Sequence, residues 1–162
     1  MGGTIVLGIG NRLGGDDAAG TYVVEILNRK QRKAKAPLPT QIISIVIGID
    51  AGTAPESYTS VIRQHRPDLL ILVDAANMGL PPGALRIIPP EKIKVLSFST
   101  HHMPLSMFMS YVEEFCGKVV LVGVQPERTD MGRGISKAVR QSVKKLAEAI
   151  LEGRVAEIPL LE

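Results

Sequence analysis

Apolar residues along this chain follow two rhythms. Unbroken β-rich runs sit at residues 4–8, 68–74 and 118–124, the kind of sequence that forms central parallel strands covered on both faces. A further strand is expected at residues 41–47, and a short one at 84–88, placed at a sheet edge by its flanking prolines. Between these runs, apolar residues recur at helical spacing. Tyr22, Val23, Ile26 and Leu27 form the stripe of a helix over 17–29. Leu105, Phe108, Met109, Val112 and Phe115 do the same over 104–115. Val139, Val143, Leu146, Ala147 and Ile150 mark a last helix, capped by Ser136. A short helix is expected over 55–64, opened by a Thr53-to-Glu56 capping box with Pro55 early in it, and stopping before Pro67. Residues 48–52 read as a turn.

Strands alternating with helices predict an α/β fold. The expected architecture is one domain over 1–162, three layers (α/β/α) around a mostly parallel twisted sheet of about five strands. No internal repeat, low-complexity segment or second composition regime interrupts the chain.

Composition narrows the function classes. The 162 residues are 45% hydrophobic and 22% charged, as in globular proteins. Nineteen basic and 16 acidic residues leave a net charge of +3, no argument by itself for nucleic acid. The one basic run, from Arg29 to Lys35, reads as a solvated loop between apolar segments, and no nucleic-acid partner is expected. Cys116 is the only cysteine, which excludes an intramolecular disulfide and a Cys₄ metal site and agrees with a reducing cytoplasm. It ends an apolar helical pattern and reads as a small core residue. No apolar run approaches the ~18 residues of a membrane span, so no membrane insertion is expected. Met1-Gly2-Gly3 lacks a charged region followed by a long apolar one, so no signal peptide is expected either.

Strand, glycine-rich turn and helix start are packed together near the N-terminus. Gly8-Ile9-Gly10 begins like a dinucleotide-binding turn, but Leu13 stands where the third glycine belongs and Gly14 comes one step late. The stronger objection is electrostatic. A pyrophosphate uses the positive end of the helix, and Asp16 and Asp17 already place negative charge there. No P-loop lysine pattern occurs anywhere.

Acids at strand ends favour a cation instead. Asp17 follows the first strand, Asp50 the second, and Asp74 ends the third, while His101 precedes a later helix. In a doubly wound sheet the carboxyl ends of the strands share one rim. Each residue also has a plainer reading. Asp17 suits a helix N-terminus, and Asp50 suits a turn or a supporting acid. Asp74 is harder to explain by packing, because it directly follows an apolar strand. Of the adjacent His101 and His102, one at most is expected to face the rim. His65, before Arg66-Pro67, reads as solvated. Spacing alone supports a metal site and specifies no activity.

The residues then resemble a known family. Residues 8–17, Gly-Ile-Gly-Asn-Arg-Leu-Gly-Gly-Asp-Asp, are similar to the N-terminal signature of the [NiFe] hydrogenase maturation endopeptidases. Asp50-Ala51-Gly52-Thr53-Ala54-Pro55-Glu56, Val73-Asp74-Ala75, Ser99-Thr100-His101-His102-Met103-Pro104-Leu105 and the block from Leu121 to Glu127 resemble its later motifs, in the same order. The Ser-Thr-His-x-Met-Pro-Leu form looks most like the branch serving formate-hydrogenlyase-type or related membrane-bound hydrogenases. The resemblance implies an endopeptidase that removes the C-terminal extension of the hydrogenase large-subunit precursor after nickel insertion. It implies nickel contacts at Asp17, Asp74 and His101, with Asp50 a further functional acid and Asp16 a structural neighbour. Nickel would arrive with the precursor, with zinc or cadmium as substitutes, and the protein is expected to be a cytoplasmic monomer. Ala18 departs from the family's usual glycine, a change in helix packing that removes no ligand. No Ser-His-Asp order or active-site cysteine offers a rival protease chemistry. Two other classes stay open: a metal-binding accessory module without peptidase activity, and a dinucleotide-binding enzyme using the glycine turn.

Overall fold

A computed structural model of the protein describes residues 2–33, 46–100 and 102–162. Its sheet contains β1 (Thr4–Ile9), β2 (Val46–Gly52), β3 (Leu69–Ala75), β4 (Leu85–Ile87) and β5 (Lys118–Val124), in the order β2-β1-β3-β5-β4. All pairs are parallel except β4 against β5. The helices are α1 (Ala19–Lys33), α2 (Thr59–His65), α3 (Pro90–Ile93), α4 (Leu105–Val112) and α5 (Lys137–Leu151).

Side chains alternate across a strand, so the apolar strand sequences supply two cores. Val6, Ile71, Val73, Val120 and Val122 face α1 and α5, meeting Val23, Leu27, Val139, Val143 and Leu146. Ile5, Leu7, Leu70, Leu72 and Leu121 face the other way, toward Ile62 of α2 and Phe108 and Val112 of α4. The expected three layers and mostly parallel five-stranded sheet are present. Ser136 caps α5, its hydroxyl accepting from the Val139 N–H at 3.4 Å. The short edge strand β4 is flanked by the C-terminal segment, through Ile87 N–H to Pro159 C=O and Leu161 N–H to Ile87 C=O, both 2.9 Å.

Four local expectations are corrected. Residues 48–52 are not a turn. They continue β2, with Val6 opposite Gly48 and Gly8 opposite Asp50, because pairing along β1 overrides the local turn tendency of the glycines. Of the strand expected at 41–47, residues 41–45 lie outside the described residues. The capping box is absent. Ala54 precedes a 3₁₀ turn, Pro55–Tyr58, with no side-chain cap; Pro55 opens it as a tight turn that leads into α2. The basic run is helical as far as Lys33, since α1 extends a turn beyond its apolar stripe and carries Lys30, Arg32 and Lys33 in its last turn, where the macrodipole favours cations. Finally, Asp16 and Asp17 sit in a 3₁₀ turn, Gly15–Ala18, ahead of α1, and Asp16 serves a different helix.

Candidate active site

The rim at the carboxyl ends of the strands holds a cleft of about 350 Å³. Asn11 and Asp17 reach it from the turn after β1, Ala75, Ala76 and Asn77 from the end of β3, and Pro126 and Thr129 from the loop after β5. Thr53, Ser97, Phe98 and Ser99 complete the wall. The chain passes from β1 to β2 on one side and then crosses back to β3 on the other side of β1, so the cleft opens where the strand order reverses, the usual ligand crevice of such sheets.

Close backbone approach builds the turn after β1. Gly10 has φ +150°, and a Cβ there would lie 1.8 Å from the Asp17 carbonyl oxygen. A Cβ on Gly20 would lie 2.5 Å from the carbonyl oxygens of both Ile9 and Val73. Only hydrogen fits at either place, so α1 starts hard against β1 and β3 and Asp17 is delivered to the cleft. Asp17 is half-buried, and its carboxylate has no hydrogen-bond donor among the described residues. Burial, and then the charge of Asp16, push its pKa upward.

Asp74, at the end of β3, is fully buried. Ser99 serves both of its oxygens, donating from its N–H to Oδ2 at 2.8 Å and from its hydroxyl to Oδ1 at 2.9 Å. Burial, helped a little by the charge of Asp17, raises the Asp74 pKa to about 8 against the pull of Ser99 and of the Ala75 N–H. The two acids are therefore coupled through charge, although only Asp17 lines the cleft and Asp74 lies buried behind it on Ser99. A bound cation would relieve both.

Asp50 is placed differently. Its Oδ2 accepts from Arg12 at 3.0 Å, and its Oδ1 from Thr21 at 3.2 Å and from the Gly52 N–H at 3.1 Å. It does not line the cleft. His101 lies outside the described residues, and His102 and His65 are exposed. Cys116 is half-buried at the far end of the α4 segment, with its thiol pKa pushed up by burial. Among the described residues no three His, Cys, Asp or Glu side chains gather into a metal cage. Asp17 and Asp74 form a pair, and two carboxylates with one imidazole would suit a borderline divalent ion.

Two further residues shape the cleft: Asp16, expected only as a structural neighbour of Asp17, and Gln125, for which the sequence suggested no role. Asp16 is fully buried, and its carboxylate accepts from the N–H groups of Glu127 (2.8 Å), Arg128 (3.2 Å) and Ser136 (2.7 Å), and from the Ser136 hydroxyl (2.8 Å). It therefore pins the loop after β5 and sits at the N-terminus of α5, where the helix dipole favours it. Gln125, buried at the end of β5, accepts from the N–H groups of Met78 (2.7 Å) and Leu80 (3.3 Å) and donates to Asn77 Oδ1 (3.2 Å). A polar residue directly after an apolar strand was the available signal, as it was for Asp74.

Comparison with known proteins places this architecture. The family described as HycI, hydrogenase maturation protease, matches residues 21–153. The Escherichia coli K12 hydrogenase 3 maturation protease is 34% identical over 150 residues, covering 92% of this chain and 88% of the relative. A crystal structure of the hydrogenase 3 maturation protease superposes with a TM-score of 0.80 at 31% identity, over 99% of this chain and 97% of that one. The [NiFe] hydrogenase maturation protease HycI from Thermococcus kodakarensis KOD1 gives 0.74 at 34% identity, over 93% and 91%.

Proposed function

The chain belongs to the hydrogenase maturation protease family and is an endopeptidase of hydrogenase maturation, and from that premise we propose that it removes the C-terminal extension of a [NiFe] hydrogenase large-subunit precursor once nickel is in place. The observation that carries the nickel reading is the Asp17–Asp74 pair. One carboxylate is half-buried and undonated among the described residues, the other fully buried, and the surroundings of each push its pKa upward. Asp17, Asp74 and His101 would complete the coordination of nickel still held by the precursor. That sharing places the scissile peptide in the cleft, where positioning lowers the entropic part of the barrier. A divalent ion held by these residues would supply Lewis acidity toward the scissile carbonyl or a water.

The remaining residues have supporting tasks in this reading. Ser99 holds both oxygens of Asp74 in one orientation. Asp50, occupied by Arg12 and Thr21, fastens the glycine turn to β2 and α1 instead of touching the peptide. Nickel is then a recognition element supplied by the substrate, and zinc or cadmium would occupy the same donors. No described helix is long and apolar enough to cross a membrane; we place the reaction in the cytoplasm, with the enzyme acting as a monomer.

The test is to incubate the protein with nickel-loaded and nickel-free precursor. Cleavage confined to the loaded form is expected. Equal cleavage of both would remove nickel from the recognition step. Failure to cleave either, with metal binding intact, would make the protein an accessory module. Asp74→Asn should abolish cleavage while leaving the fold intact, and an active variant would contradict the trio.

A further inference from the structure

Ser97, Phe98 and Ser99 line the cleft, whereas Asp74 is fully buried and does not. These wall residues belong to a connection, 94–100, that contains no helix or strand. Leu96 and Phe98 of that connection are only partly buried against the core that holds Leu105 and Phe108. Among the described residues, the two contacts of Ser99 with Asp74 are the only hydrogen bonds made by residues 96–100. Asp74 is therefore the polar hook on which this part of the wall hangs.

The same contacts engage the carboxylate. An ionised carboxylate offers about four acceptor sites over its two oxygens. Ser99 takes one on each oxygen, at 2.8 and 2.9 Å, and the Ala75 N–H takes a third. Such bonds to a charged acceptor are about twice as strong as neutral ones. A divalent ion of the zinc type bonds to a carboxylate oxygen at about 2.0–2.2 Å. Ser99 touches both the cleft and the carboxylate, so it stands in the way of that approach. Asp17 lines the cleft with no donor upon it among the described residues. The two acids are unequal: Asp17 meets an ion directly, and Asp74 only after Ser99 yields.

We propose that Ser99 is a specificity-determining residue, a clasp on Asp74 that keeps free divalent ions off the acid pair and yields to nickel carried in by the docked precursor. This rests on the nickel reading above. A free ion has only its own bonds to set against the hydrogen bonds it must break. A precursor adds the contacts of its whole docked surface, and remote contacts of a large substrate supply the energy that rearranges a site. Once the clasp opens, residues 96–100 lose their polar anchor and the wall follows the incoming chain.

Calorimetric titration with nickel ion alone tests the clasp, at one alkaline pH so that carboxylates start ionised. Ser99→Ala removes the hydroxyl donor and keeps the N–H. It should bind nickel ion about tenfold or more tightly than the unaltered protein, because one charge-assisted hydrogen bond no longer has to be broken. Ser99→Thr keeps the hydroxyl and should match the unaltered protein. The gain should vanish in Ser99→Ala/Asp74→Asn, which separates it from ions held on the exposed His65 or His102. Independently of any variant, saturating nickel ion should speed amide exchange of residues 96–100 in the unaltered protein about tenfold, read by mass spectrometry. Equal or weaker binding by Ser99→Ala overturns the clasp and leaves Ser99 as a plain support of Asp74. A gain that survives Asp74→Asn overturns it too, as does exchange unmoved by nickel ion. Those results leave the nickel reading standing. Equal cleavage of nickel-loaded and nickel-free precursor by the unaltered protein overturns the nickel reading, and with it the role of the clasp, even where the titration shows free ions excluded.

Discussion

Asp74 is the residue whose environment has the clearest consequence for measurement. Its folded pKa of about 8 stands far above the ordinary 3.8. Between those values the folded protein holds a proton that the unfolded chain has released. The contribution to stability is complete below about pH 4 and is lost as pH rises through about 8. Denaturant unfolding of the metal-free protein should therefore show stability falling across this range, and Asp74→Asn should flatten the profile. Asp16 makes the opposite kind of case. Four donors converge on it from one loop and one helix end. Asp16→Ala would leave all four without this acceptor, the two of Ser136 fully buried, at a cost of about 3 kcal/mol or more. A urea midpoint well below that of the unaltered protein is the expected result, together with weakened processing as the loop bearing Thr129 and Met131 loosens.

Between elements, the contact that matters most is α1 on the sheet. Gly20 has backbone oxygens from both β1 and β3 at the distance where a Cβ would collide, so no side-chain rearrangement can make room. Gly20→Ala should cost about 1–3 kcal/mol by overpacking. The helix must lift, and Asp17 lifts with it. The fall in kcat/KM for the folded enzyme should therefore persist at temperatures where the variant is fully native by circular dichroism. This sets it apart from a change that only lowers stability. Glycine here was visible in the sequence, but its reason was not: the conformational freedom expected of a turn glycine matters at Gly10, whereas Gly20 is needed for space.

Across the whole molecule, the two cores carry stability and the rim carries chemistry. Leu146 is fully buried in the core between α5 and the sheet, away from the cleft lining. Leu146→Ala should lower the unfolding free energy by about 2–5 kcal/mol. KM and kcat measured well below the melting transition should stay near those of the unaltered protein. A large change in either would show that the α1–α5 face reaches the rim more directly than these contacts provide. The rim itself is assembled from the ends of β1, β3 and β5. Three polar contacts tie its loops together: Asp16 to the loop after β5, Gln125 to the segment after β3, and Ser99 to Asp74.

The sequence by itself determined the strand and helix pattern, because continuous apolar runs and helical stripes are local properties that two packed cores require. It also singled out Asp74, since a carboxylate at the end of an apolar strand is costly to bury, while Asp17 kept a plainer reading as a helix-start acid until the resemblance was drawn. Only the tertiary structure decided the rest. Asp16 reads locally as an acid at the start of α1, yet it serves residues 111 to 120 positions away. Asp50 reads as a turn residue, yet its oxygens are occupied by Arg12 and Thr21 within a paired strand. Leu13 and Met131 lie 118 positions apart, yet Asn11 hydrogen-bonds to both. Such assignments depend on which distant donors the fold brings within three ångströms or so of an acceptor, and no local pattern encodes that distance.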